Sequence, residues 1–186
     1  MNALPDFYRE EGLRELLQAI EAEQAVLGGL MLRPQAWMDV QDVLTAQQFY
    51  RRDHQLIWQA IEDVLKKGRE ADAVTIGEWF ESRGKLELVG DGAYLIELSA
   101  TTPSSANVRG YAEIVAETAK RRALIDAGQE LIDSAYNPEG RSALDLIGSA
   151  QTRIGGLLDS EPCDLESVAP VMERVFHRLG ERANNE

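Results

Sequence analysis

Reactive side chains are scarce in this chain. One cysteine, Cys163, and two histidines, His54 and His177, are all that its 186 residues offer. A lone cysteine forms no internal disulfide, and no Cys or His stands at ligand spacing from it, so a zinc site is not expected. His177 follows Glu173 by one helical turn, but a carboxylate-bridged metal bundle needs Glu-x-x-His pairs on facing helices, and the sequence has none. His54 reads as a capping or surface hydrogen-bonding residue beside Asp53. A phosphate-cradling P-loop is also missing: the Gly84-Lys85 pair is followed by Leu86 where Ser or Thr is required, and Trp79 stands where the first glycine belongs. No acidic pair is singled out by spacing. These readings predict no catalytic residue, no cofactor and no metal.

Long apolar runs and positive charge are lacking too. No stretch approaches the roughly 18 apolar residues of a membrane span. The start, MNALPDFYREEG, carries acids and no hydrophobic signal region, which together with the single cysteine points to a cytoplasmic protein without a membrane role. With 32 acidic against 19 basic side chains the net charge is −13, so binding duplex DNA directly is disfavoured. Hydrophobic residues still make up 44%, enough for a folded core.

What remains is helix, with no strand-length alternation and no internal repeat. Residues 21–33 place Val26, Leu27, Leu30 and Met31 at helical spacing and stop at Pro34. Gly28-Gly29 inside that run loses helix propensity, which close packing against a neighbour would explain. A short helix is expected over 36–44, with Thr45 as the cap of the next turn. Asp53 is expected to cap a helix carrying Leu56, Ile57, Ala60, Ile61, Val64 and Leu65. Asp72 should open 73–82 with Val74, Trp79 and Phe80 as anchors, and 92–100 forms another short helix.

One long helical pattern runs from Asn107 to Tyr136 and ends in Asn137-Pro138-Glu139-Gly140. Ser142 with Asp145 resembles a capping box for a helix over 142–159, lined by Leu144, Ile147, Ile154 and Leu158. So short a turn makes the two helices an antiparallel hairpin. After Pro162, residues 165–183 form an amphipathic helix whose stripe, Val168 to Leu179, needs a partner. The fold class is all-α: a compact bundle of short helices, then a long antiparallel helical hairpin, then a C-terminal helix.

Four blocks carry a resemblance: EAEQAVLGGLML, FYRRDHQLIWQAI, AVTIGEWFESRGKLELVGDGAYLIELSATTPSSANVRGYAEIV and AYNPEGRSALDLIGSAQTRI. In this order, from Ala22 to Leu158, they resemble the N-terminal domain of DnaB-like replicative DNA helicases. The resemblance implies a leader over 1–20, a globular bundle over 21–103, a dimerising hairpin over 104–159, and a linker with its linker helix over 160–186. It also implies a scaffold or collar of a hexameric helicase that binds the primase C-terminal domain and a helicase loader. The family's ATPase motor, which uses ATP and magnesium, is expected beyond this point, so the chain resembles the scaffold and not the engine.

Self-association, as a dimer, a trimer of dimers or a hexamer, is then expected through Tyr111, Ile114, Val115, Leu124, Leu131, Leu144, Ile147 and Ile154, some of which could instead pack the hairpin on itself. Docking on the motor domain of an adjacent subunit is expected through Val171, Met172, Val175, Phe176 and Leu179, unless that helix folds back on its own bundle. Two other readings stay open. One is a stand-alone, phage-type adaptor that imitates the domain and acts on a host helicase. The other is an unrelated helical enzyme built on clustered carboxylates.

Overall fold

A computed structural model of the chain describes residues 17–102 and 104–158. Among the described residues every regular element is helical: α1 is Ile20–Leu32, α2 Arg52–Lys66, α3 Ala73–Glu81, α4 Ala93–Thr101, α5 Val108–Tyr136 and α6 Ala143–Leu158. Short 3-10 turns at Pro34–Asp39, Ala46–Gln48, Leu86–Val89 and Ser105–Asn107 join them. The helix expected over 36–44 is thus a 3-10 run that starts at Pro34, whose fixed φ suits a first helical position, and ends at Asp39.

α1 is the centre of the bundle and is buried on nearly all sides from Ala25 to Met31, against α2, α4 and the Ser105–Asn107 turn. Its glycine pair has a steric cause. A Cβ on Gly28 would stand 2.1 Å from the Leu98 carbonyl oxygen and 2.0 Å from Thr102 Oγ1, and one on Gly29 would stand 2.5 Å from Val108 Cγ2. Glycine here lets helix backbones touch, which offsets its lower helix propensity of about 1 kcal/mol.

Around α1 the core is aromatic and branched. Trp58 of α2 packs at ring-centroid distances of 4.8 Å from Trp37 and 5.2 Å from Phe49, beside Leu27, Ile57 and Ile61. α3 turns Ile76 and Phe80 inward, four residues apart on one face. Val74, expected as an anchor, is 70% exposed, because it lies off the face that those two define. Asp72 caps α3 as expected, accepting from Thr75 N at 2.8 Å. Asp53 does not cap α2: the chain enters through extended Arg51, and Asp53 sits in the first turn, paired with the Arg51 guanidinium.

α5 begins as part of this bundle, with Val108, Ala112, Val115 and Ala116 buried in its core. Cα packing divides the chain between Asp126 and Ala127, inside α5. The bundle therefore reaches well past residue 104, because the first turns of α5 supply one of its walls.

The second unit contains the rest of α5, a turn and α6. Glu139 and Gly140 take left-handed φ values of 49° and 82°, which reverses the chain in a few residues. Ser142 Oγ accepts from Asp145 N at 3.2 Å while Asp145 Oδ2 accepts from Ser142 N at 3.1 Å, a reciprocal capping box at the start of α6. Arg153 pairs with Glu130 at 2.7 Å, so α6 returns antiparallel to α5. Within this unit Ala127 alone is buried among the described residues.

Candidate functional site

Inside the bundle lies a polar cluster that the sequence reading missed. Glu23 of α1 and His54 of α2 are both fully buried, with His54 Nδ1 2.6 Å from Glu23 Oε2. His54 Nε2 lies 2.6 Å from the Tyr94 hydroxyl of α4, and that hydroxyl also accepts from Gln24 Nε2 at 3.1 Å. Glu23 Oε1 accepts from Tyr50 N at 2.6 Å and Oε2 from Arg51 N at 3.4 Å. With Nδ1 facing the Glu23 carboxylate and Nε2 facing the Tyr94 hydroxyl, each member of the cluster has a partner. Burial pushes the Tyr94 hydroxyl above its ordinary pKa, so it stays a donor.

A tyrosine, a histidine and a carboxylate in line have the connectivity of a general-base relay. Here the histidine and the carboxylate are out of reach of any substrate, and the relay ties three helices and the 49–51 segment into one brace. His54 is therefore not a surface residue. Its spacing did mark an inward face, since it precedes Ile57, Trp58 and Ile61 by one and two helical turns. What no single helix could reveal was Glu23 opposite it.

Cations close the rim of this cluster. The Arg51 guanidinium stands 4.9 Å from the Tyr94 ring centroid and donates from Nε to Asp53 Oδ1 at 3.0 Å. Burial works to raise the Asp53 carboxyl, but the Arg51 hydrogen bond and the nearby positive charge outweigh it and hold it below the usual range. Arg122 of α5 donates to the carbonyls of Leu17 at 2.9 Å and Gln48 at 2.5 Å, and burial lowers its pKa. It thereby pins α5 to two separate segments of the bundle.

The candidate association residues fall into distinct environments. Val115 is 1% exposed and belongs to the bundle core, so it is withdrawn from any interface: Ala112 and Val115 share the inward face of α5. Tyr111 is half-buried and packs against the same core. Ile114 and Leu124 are exposed on α5 of the first unit. In the second unit Leu131, Leu144, Ile147 and Ile154 are all exposed, as are Ile132, Tyr136 and Leu158. Burying one such side chain fully contributes about 1.5–3 kcal/mol, so this unit leaves several kcal/mol unrealised in a single chain. Val171, Met172, Val175, Phe176 and Leu179 lie outside the described residues. Among the described residues no helix is long and apolar enough to cross a membrane.

Comparison with known proteins fits this architecture. A family model described as the DnaB-like helicase N terminal domain matches residues 15–117. The replicative DNA helicase DnaB of Buchnera aphidicola subsp. Baizongia pistaciae is 39% identical over 144 residues, which cover 77% of this chain and 31% of that protein. DnaB of Mycobacterium leprae is 39% identical over 155 residues, 83% of this chain and 25% of its own length. Across the curated relatives compared, the chain spans 25% to 35% of their length. The crystal structure of the N-terminal domain of DnaB helicase from Mycobacterium tuberculosis superposes with a TM-score of 0.72 at 39% identity, over 75% of this chain and 97% of that one. A structure of a DnaB-like replicative helicase and its interactions with primase superposes with a TM-score of 0.60 at 25% identity, over 83% of this chain and 34% of that one.

Proposed function

We propose, from the premise that this chain belongs to the DnaB-like helicase N-terminal domain family, that it acts as the non-catalytic collar of a hexameric replicative helicase. In this role the hairpin unit assembles copies of the chain, and the collar receives the C-terminal domain of primase and a helicase loader. ATP and magnesium act in a motor domain and not on these residues.

One observation carries the reading. The bundle closes its own core around Trp58, whereas the second unit buries only Ala127 among its described residues and presents Leu131, Leu144, Ile147 and Ile154 to solvent. α6 is 16 residues long, close to the length below which a lone helix is marginal in water. A second hairpin is the natural cover for such a face, since symmetric assembly pairs like patches. In the first unit, half-buried Tyr111 and exposed Ile114 and Leu124 stay candidates of their own for association. Primase binding is supported by the similarity to a helicase described with primase.

Sedimentation velocity over a range of concentrations, with and without a primase C-terminal domain, tests this function. Mass that rises with concentration and a faster boundary with primase would support it. A monomer indifferent to primase would refute it.

A further inference from the structure

The residues that α6 leaves exposed on one side follow a fixed spacing. Leu144, Ile147, Gln151, Ile154 and Leu158 recur at alternating intervals of three and four, the a and d positions of a heptad, and all five are exposed. The hairpin does not use this seam for its own packing. α6 meets α5 through another face, with Leu146 and Ala150 half-buried along the groove they share with Ala127 and Leu131, and with Arg153 paired to Glu130. A heptad seam along one side of a helix suits a second helix lying against it.

The seam is close to a mirror image of itself about Gln151. Leu144 lies seven positions before that residue and Leu158 seven after it. Ile147 stands four before it and Gly155 four after, while Gly148 stands three before it and Ile154 three after. A two-fold axis through Gln151 therefore sets Leu144 against Leu158 and each isoleucine against a glycine. Both glycines have room for that partner, since a Cβ on Gly148 or Gly155 would meet nothing within 4 Å. Such a match is what a contact between identical copies requires, where residue i meets j and j meets i.

Charge selects the same occupant. The chain carries a net charge of −13, so two copies repel over most of their surfaces. None of the seven residues in this strip is charged, and the two charged residues of α6, Asp145 and Arg153, lie outside it and cancel. A nucleic acid finds no cation here, whereas a second copy of the chain meets no like charge.

Resting on the assembly reading above, we propose that α6 pairs antiparallel with α6 of a second copy about a two-fold axis at Gln151. A primary amide carries both donors and acceptors, so the two glutamines bond to one another across the axis. A single polar residue in an apolar seam fixes register, because a slip buries its amide without a partner. Gln151 thus decides which alignment the pair adopts, and the leucines and isoleucines hold it together.

Disulfide trapping of the full chain, on a Cys163→Ser background, tests this beside sedimentation velocity of the wild type. A disulfide needs Cα atoms within about 7 Å, and in an antiparallel pair only a residue at the axis stands that close to its own copy. In oxidised glutathione, Gln151→Cys should shift from monomer to covalent dimer on a non-reducing gel. Leu144→Cys and Leu158→Cys should each stay monomeric alone and crosslink when the two are mixed. A wild type that associates while Gln151→Cys stays uncrosslinked, or while Leu144→Cys alone crosslinks as readily, would overturn the inference and leave the assembly reading standing. A wild type that is monomeric at every concentration would overturn both.

Discussion

A Cβ added at Gly28 or Gly29 would strike neighbouring atoms at 2.5 Å or less, whereas at Gly148, Gly155 and Gly156 of α6 it would meet nothing within 4 Å. The same contrast runs through the large apolar side chains: Trp58, Phe80 and Leu98 are sealed in the bundle, while Leu144 is 80% exposed in the hairpin. The bundle closes on its own core, whereas the described part of the hairpin leaves its large apolar side chains exposed. A helix packed on all sides needs small residues where backbones touch. A helix with an open face tolerates them or holds them for a contact that one chain does not supply.

The largest expected effect breaks the bundle from inside. Glu23→Ala leaves the buried His54 Nδ1 and the Tyr50 amide without their acceptor, and should destabilise the bundle by about 4 kcal/mol in denaturant unfolding. A loss below ~1 kcal/mol would mean that the cluster is not a brace. Next, Gly28→Ala forces a methyl against the Leu98 carbonyl and should lower stability by about 3 kcal/mol, read as a drop in Tm.

A smaller effect is expected at the cap of α3. The hydrogen bond from Thr75 N lowers the Asp72 carboxyl below its ordinary pKa, so its contribution is present above about pH 4 and fades as pH falls through the folded value. Asp72→Ala should cost about 1 kcal/mol at neutral pH and less at low pH, where the wild type has itself lost the contribution. Equal losses at both pH values would contradict the capping role. The smallest change sharpens the contrast from the other side. Gly148→Ala, measured at concentrations where the chain is monomeric, should raise helix stability by up to about 1 kcal/mol by far-UV circular dichroism. A loss there would show that α6 already packs tightly at Gly148.

Local signals made most of the helices legible in the sequence. The long helix expected over 107–136 is Val108–Tyr136, and the Ser142–Asp145 box forms as its spacing implied. The glycine pair in α1 told of a close crossing, though not which helix it crossed. Non-local facts stayed hidden. Val74 fits a helical stripe as well as Ile76 does until α4 fixes which face is inward. Val115 looked like an interface residue because a helix pattern cannot say where one compact unit ends within it. Glu23 and His54 are 31 positions apart, and only the fold turns two ordinary polar residues into one buried pair.

The measurement that bears most directly on an unfinished hairpin is sedimentation velocity of Ile147→Glu/Ile154→Glu beside the wild type, with far-UV circular dichroism as a check on folding. A wild type that self-associates and a double variant that stays monomeric with undiminished helicity and bundle Tm is the predicted result. A double variant that assembles as well as the wild type would contradict the account.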